Sequence, residues 1–152
     1  MKTEISALLL RSRSDPLQTL ELALQGLSVK TSQASSCGEA QRRLEGSDPP
    51  ELIFTDTQLL DGTWVDVLRL AERAATPVNV IVVSRLVDVH FYIEVIEAGA
   101  FDYIAPPFDA SGLAHVTCCA AGNVLRRRSA QAQAQQTGQG TLTLASPRER
   151  LA

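Results

Sequence analysis

The chain has 152 residues, 45% of them apolar and 20% charged, which bounds it to about one globular domain and excludes wholesale disorder. Its formal charge of −3 is uneven: residues 1–125 carry nine basic and sixteen acidic side chains, whereas residues 126–152 carry five Arg and one Glu. An acidic body with a short basic tail lacks the concentrated basic face that phosphate backbones require, and no apolar run approaches the ~18–20 residues of a membrane span.

Apolar runs alternate with amphipathic stretches along the chain. The first strand is expected at Ile5–Leu10, and Asp15-Pro16 then reads as an N-cap with proline at the first helical turn. That helix sets Leu17, Leu20 and Leu24 on one face and stops at Gly26. A second strand is expected at Ser28–Thr31. Ser36 with Glu39 three residues on is a capping-box pattern, opening a helix that ends near Gly46. The third strand is Leu52–Thr55, and its helix spans about Gly62–Ala75 with Val65 and Leu68 inward. The fourth strand covers Val78–Ser84, and its helix runs from about Val89 to Ala98 before Gly99. Phe101–Ile104 is the fifth strand. The last helix starts at Asp109 or Ser111, with Leu113, Val116, Ala120 and Val124 on its inner face.

Five strands separated by helices form a (βα)5 pattern, and right-handed crossovers favour an α/β doubly wound parallel sheet. Short continuous apolar strands suit a sheet covered on both faces. After Arg126-Arg127-Arg128 the composition turns to Gln, Ala, Gly and Thr. The expected division is therefore a domain over 1–128 and a flexible extension over 129–152. Cys37 and the adjacent Cys118 and Cys119 have no metal-type spacing and make no even disulfide set, so free thiols and a cytoplasmic setting are expected. One of the vicinal pair is expected to pack as a small buried side chain. Arg126–Arg128 are read as complements to the last helix's C-terminal dipole, and His90 and His115 as packing or solvent-facing residues.

Ligand chemistry in open parallel sheets gathers at the carboxyl ends of the strands. The third strand ends there in Thr55-Asp56-Thr57, and an aspartate directly behind a buried apolar run is either a loop cap or a site residue. The fourth strand ends in Val82-Val83-Ser84, placing a small hydroxyl beside it. LIFTD at 52–56, DG at 61–62, VIVVS at 80–84 and EAGAFDYIAPPF at 97–108 together resemble a response-regulator receiver domain of two-component signalling, with the similarity spanning residues 4–128.

The resemblance implies a flavodoxin-like fold with strand order 2-1-3-4-5. It places the phosphoacceptor at Asp56, the hydroxyl that contacts the phosphoryl group at Ser84, and the switch aromatic at Tyr103. It assigns no catalytic residue, so the chain is expected to be a signalling module and not an enzyme. The implied partners are a histidine kinase or another signalling protein, with dimer or partner contacts through residues 88–125; neither nucleic acid nor membrane is expected.

This sequence also departs from the pattern. Receivers end their first strand with an acidic pair that helps the phosphoacceptor hold Mg²⁺, whereas here Ala7–Leu10 is followed by Arg11-Ser12-Arg13-Ser14. The metal ligands left are Asp56 and, several residues late and in a helix-cap context, Asp15. The lysine expected ahead of the Pro-Phe ending is Pro106, and the proline four residues after the phosphoacceptor is Leu60. Mg²⁺ is thus implied by the resemblance but its site is degenerate, because Mg²⁺ anchors on carboxylates in a near-octahedral oxygen shell. Arg11 and Arg13 are candidate pocket cations: either they are solvated loop residues, or one turns inward and neutralises Asp56 in the metal's place.

Three functions follow. The first is a degenerate receiver acting mainly through protein contacts. The second is a receiver that still takes phosphate from a histidine kinase at Asp56. The third, a small flavodoxin-like enzyme or nucleotide binder, is weakest, because Arg11–Asp15 contains no glycine for a phosphate loop.

Overall fold

In a computed structural model of the chain, the apolar runs Ala7–Leu10, Leu52–Thr55 and Asn79–Val83 are the three inner strands of one parallel sheet, with almost every residue buried. The structure describes the backbone of residues 4–12 and 16–151 and the side chains of residues 4–12 and 17–136. In chain order the elements are β1 Ile5–Leu10, α1 Pro16–Gln25, β2 Val29–Ala34, α2 Cys37–Glu45, β3 Leu52–Thr55, β4 Gln58–Leu59, β5 Gly62–Thr63, α3 Trp64–Arg73, β6 Asn79–Val83, α4 Val89–Glu97, β7 Asp102–Ile104 and α5 Ala110–Leu151.

The sheet order is β2-β1-β3-β6-β7, all parallel. With the small β4-β5 hairpin set aside, that is the expected order 2-1-3-4-5. The sequence reading missed this two-residue hairpin, because pairing that short leaves no periodicity to see. The second strand also runs longer than expected, to Ala34: Lys30, Thr31, Ser32 and Gln33 sit on the sheet's edge, where polar side chains are tolerated. Ser28, at φ 62°, makes the turn into it.

Strand side chains alternate between two cores. Leu8, Leu10, Ile53, Val80, Val82 and Tyr103 pack under α2, α3 and α4. Ala7, Leu9, Leu52, Phe54, Ile81 and Val83 pack under α1 and α5, where Leu17, Leu20 and Leu24 are fully buried as their spacing predicts. On α3 the inward set is Trp64, Val67 and Leu68, with Val65 only partly covered, because the helix begins at Trp64 and its phase follows. Gly99, at φ 110°, provides the tight return from α4 to β7 that a side chain would strain.

The change of composition at residue 129 does not end α5, whose backbone continues to Leu151. Arg126–Arg128 therefore lie inside the helix and not at a C-terminal dipole. Arg127 donates to Asn79 Oδ1 at 2.7 Å, and Arg128 donates to the carbonyls of Pro77 and Pro50, each at 2.9 Å. Gln131 adds a bond to the Ala75 carbonyl at 2.8 Å. These contacts fasten α5 to the loops at the amino ends of the strands. Both Cys118 and Cys119 are exposed, since α5 buries Ala120, Ala121 and Val124 instead. His90 and His115 face solvent. Among the described residues no helix is long and apolar enough to cross a membrane.

Candidate functional site

The carboxyl ends of β1, β3 and β6 converge where the backbone ladders stop. Asp56, one residue past β3, is buried, and its N–H donates to the Leu10 carbonyl at 2.9 Å. Its carboxylate is held on both oxygens: Oδ2 accepts the Ser12 hydroxyl at 2.7 Å and Oδ1 accepts the Thr57 N–H at 2.7 Å. Ser12, two residues past the end of β1, is a site residue that the sequence reading passed over. A serine in a loop carries no signal by itself; the register Leu10 to Thr55 is what brings it beside Asp56.

Ser84, one residue past β6, occupies the neighbouring strand end, fixed by its N–H to the Ile104 carbonyl at 2.9 Å. Thr55 pairs with Val82, so Ser84 leaves its strand one residue beyond the position opposite Asp56. Tyr103, on β7, is buried with its hydroxyl donating to the Leu86 carbonyl at 2.7 Å. Its ring meets Phe91 and Tyr92 edge-on, at centroid distances of 5.5 and 5.8 Å. Phe91 meets Trp64 in the same way at 5.5 Å. An aromatic row thus joins the start of α3, α4 and β7, and Trp64 belongs to it as a buried side chain.

Arg11 turns away from Asp56. Its guanidinium donates to Gln33 Oε1 at 3.0 Å and lies 3.9 Å from Glu21, and Gln33 donates on to Glu21. It is therefore an outer bridge between β2 and α1, not a pocket cation. Arg13 and Asp15 lie outside the described residues. Pro106 stands where a lysine was expected and brings no charge, and Leu60 is exposed. Among the described residues no three His, Cys, Asp or Glu side chains are grouped to hold a metal ion.

The DG pair at 61–62 has a definite structural task. Asp61 reaches across to the start of α2, accepting the Cys37 N–H at 2.6 Å and the Gly38 N–H at 3.2 Å. Those donors, Cys37 above all, hold its carboxyl below the ordinary aspartate range. The Cys37 thiol is pushed up to about 11, by burial first and then by Asp61. Gly62 is required for close approach: a Cβ there would meet Asp66 Oδ2 at 2.6 Å and Cys37 Sγ at 3.1 Å. Asp66 Oδ2 is already engaged, accepting the Thr63 N–H in the capping box of α3. The β4-β5 turn thus ties the loop behind Asp56 to both α2 and α3.

The model of the response regulator receiver domain matches residues 13–117 of this chain. The chain belongs to the response-regulator receiver family. Receiver domains are signalling modules of two-component systems, and this is the receiver domain of such a regulator. It is 28% identical over 127 residues to the response regulator protein PilR of Pseudomonas aeruginosa, a match that covers 84% of this chain but 27% of the relative. The chain thus spans about a quarter of that protein's length. Among solved structures it resembles a receiver domain from Clostridium thermocellum, with TM-score 0.64, 23% identity and coverage of 84% and 98% of the two chains. It also resembles the receiver domain of the sensor histidine kinase PA1611 of Pseudomonas aeruginosa, with TM-score 0.65, 19% identity and coverage of 79% and 99%. That structure holds a magnesium ion in its active-site cleft. The similarity in structure establishes the flavodoxin-like fold.

Proposed function

We propose that this receiver signals mainly through protein contacts, with Asp56 retained and the Mg²⁺ chemistry around it weakened. The observation that carries this reading is the 2.7 Å bond from the Ser12 hydroxyl to Asp56 Oδ2. A neutral hydroxyl stands beside Asp56 where receivers place acidic side chains. The described donors do not fit Mg²⁺, which takes carboxylates as anchors and dehydrates reluctantly. Pro106 removes the second positive charge from the neighbourhood. Phosphoryl transfer depends on positioning and on neutralising charge that spreads over the phosphoryl oxygens. Each lost electrostatic partner costs about 3–4 kcal/mol of barrier, or roughly 10²–10³ in rate. Asp56, Ser84 and Tyr103 keep the phosphoacceptor and switch positions of the fold. The receiver unit is proposed to be residues 1–128, working in the cytoplasm with a histidine kinase or another signalling protein, its docking surface lying within residues 88–125.

A second reading, favoured by the buried Asp56 at the end of β3, is that a histidine kinase still phosphorylates it. Incubation with acetyl phosphate, or with beryllofluoride, plus Mg²⁺ separates the two when followed by intact mass or NMR. Little or no adduct is expected from the wild type, and more from a Ser12→Asp variant. Stoichiometric, Mg²⁺-dependent modification that disappears in Asp56→Asn overturns the first reading.

A further inference from the structure

Outside the Asp56 site, α5 gathers a nucleophile, a base and a cation at one place. Cys118 and Cys119 are both exposed free thiols. Cys119 Sγ lies 3.8 Å from His115 Nε2 and 4.0 Å from Nδ1, the imidazole standing one helical turn back on the same face. Both thiols line an open cleft of about 410 Å³, together with Gly122, Asn123, Arg126 and Phe101. Phe101, at the turn into β7, packs against the core and gives the cleft an apolar wall.

Gly122 is unexpected inside a helix, where glycine is destabilising relative to alanine. Packing does not demand it: beyond the helix's own backbone an added Cβ would meet only Arg126 Nη1, at 3.4 Å. The same contact shows the guanidinium folded back over Gly122, toward the turn that holds the thiols. The glycine therefore leaves open the floor between sulfur and cation. Between Ala110 and Arg148 the sequence contains no Asp or Glu. Among neighbouring carboxylates, Asp102 turns to the groove beside Phe108 and accepts the Tyr103 N–H at 2.7 Å, while Glu94 and Glu97 on α4 do not line the cleft. Arg127 is committed to Asn79. The charge offered to a visitor is that of Arg126.

Adjacent side chains on a helix point about 100° apart. Cys118 and Cys119 therefore do not close a disulfide with each other while the helix stands, and a disulfide made here joins another molecule. We propose that Cys119 is an S-thiolation site whose co-substrate is a small disulfide bearing carboxylates. His115 takes the thiol proton, and the sulfur attacks one sulfur of the bound disulfide. The new S–S bond forms as the old one breaks, and the departing thiolate recovers the proton from His115. One disulfide is consumed and one mixed disulfide and one thiol are made, with no other oxidant. Arg126 seats a carboxylate of the co-substrate, and Phe101 covers its apolar part. None of these steps uses Asp56.

The test treats the whole chain with three disulfides: oxidised glutathione (anionic), cystamine (cationic) and bis(2-hydroxyethyl) disulfide (neutral). Intact mass and peptide mapping follow the adducts over time. A single mixed disulfide at Cys119 is expected, formed fastest with oxidised glutathione. His115→Gln should slow all three reagents roughly tenfold or more. Arg126→Gln should remove the advantage of oxidised glutathione over cystamine and leave the neutral reagent's rate unchanged. That split separates a seated co-substrate from mere exposure of a thiol. Cys118→Ser should leave the reaction at Cys119 as it was. Urea midpoints equal to wild type in each variant keep loss of fold from standing in for loss of reactivity. Equal modification of Cys118 and Cys119, indifference to His115→Gln, or faster reaction with cystamine overturns the proposal.

Discussion

The two ends of the same sheet are built to opposite rules. At the amino ends of the strands polar groups are plentiful and locked: Glu51, 1% exposed, accepts the Ser6 N–H at 2.9 Å, while Asn79 joins Ala120, Asn123 and Arg127. Arg128 completes this end, half-buried near Glu51 and Asp48 and bonded to two carbonyls. At the carboxyl ends Asp56 is met by a serine hydroxyl and a backbone N–H, and the loops around it carry Leu60, Leu86 and Val87 exposed. A dense buried polar network fixes how the last helix sits on the sheet. The opposite end leaves loops able to meet a partner, as expected where function is carried by loops on a rigid scaffold.

The largest expected effect comes from breaking the locked end. Glu51→Ala strands the Ser6 N–H and removes a carboxylate from beside Arg128, and should cost about 1–3 kcal/mol in urea unfolding. Ser12→Ala at the other end should cost less, about 1 kcal/mol or below, while changing the adduct assay at Asp56. Equal losses of stability would erase the contrast between the two ends.

Gly62→Ala comes next. The added methyl must displace Asp66 from the α3 capping box, for an expected loss of about 1–2 kcal/mol in the same experiment. Wild-type stability here would mean that Asp66 moves without penalty.

The acid limb of stability is a smaller effect. Asp61 is held below its ordinary value by the α2 donors, and Glu39 by the Ser35 hydroxyl and N–H. Groups with depressed folded values bind more protons when unfolded. Their contribution is therefore present above the unfolded value near ~4 and is lost as pH falls through the lower folded value. Urea midpoints followed from neutral pH downward should fall in that window, and Asp61→Asn should flatten the decline. An identical pH profile in the variant would remove the link to α2.

The smallest effect is chemical. With its thiol raised to about 11, Cys37 stays protonated at neutral pH, so iodoacetamide should label Cys118 and Cys119 first. Mass spectrometry of a time course would show the reverse order if Cys37 were activated.

The architecture was readable because it rests on local and periodic signals. Continuous apolar strands, the Ser36 cap with Glu39, and the Leu17, Leu20 and Leu24 stripe each predict an element, and each forms. Asp56, Ser84 and Tyr103 could be placed for a related reason: each sits on or just beyond a strand whose end is visible in the sequence. Ser12 and the outward turn of Arg11 were not readable. Both depend on what a distant segment offers, Asp56 at a separation of 44 residues and Gln33 at 22. The role of Arg128 was missed for the same reason, since it finds its acceptors 51 and 78 residues away.

By itself the sequence determined the order of strands and helices, the two-sided burial of the sheet, and the adjacent Cys118 and Cys119 on the last helix. Periodicity and composition are properties of neighbours along the chain, and they survive without coordinates. Only the tertiary structure decided which hydroxyl holds Asp56, which cation turns away from it, and that Phe101 walls the cleft lined by Cys118 and Cys119. Those outcomes follow from strand register and helix phase, which bring together groups that no local pattern connects.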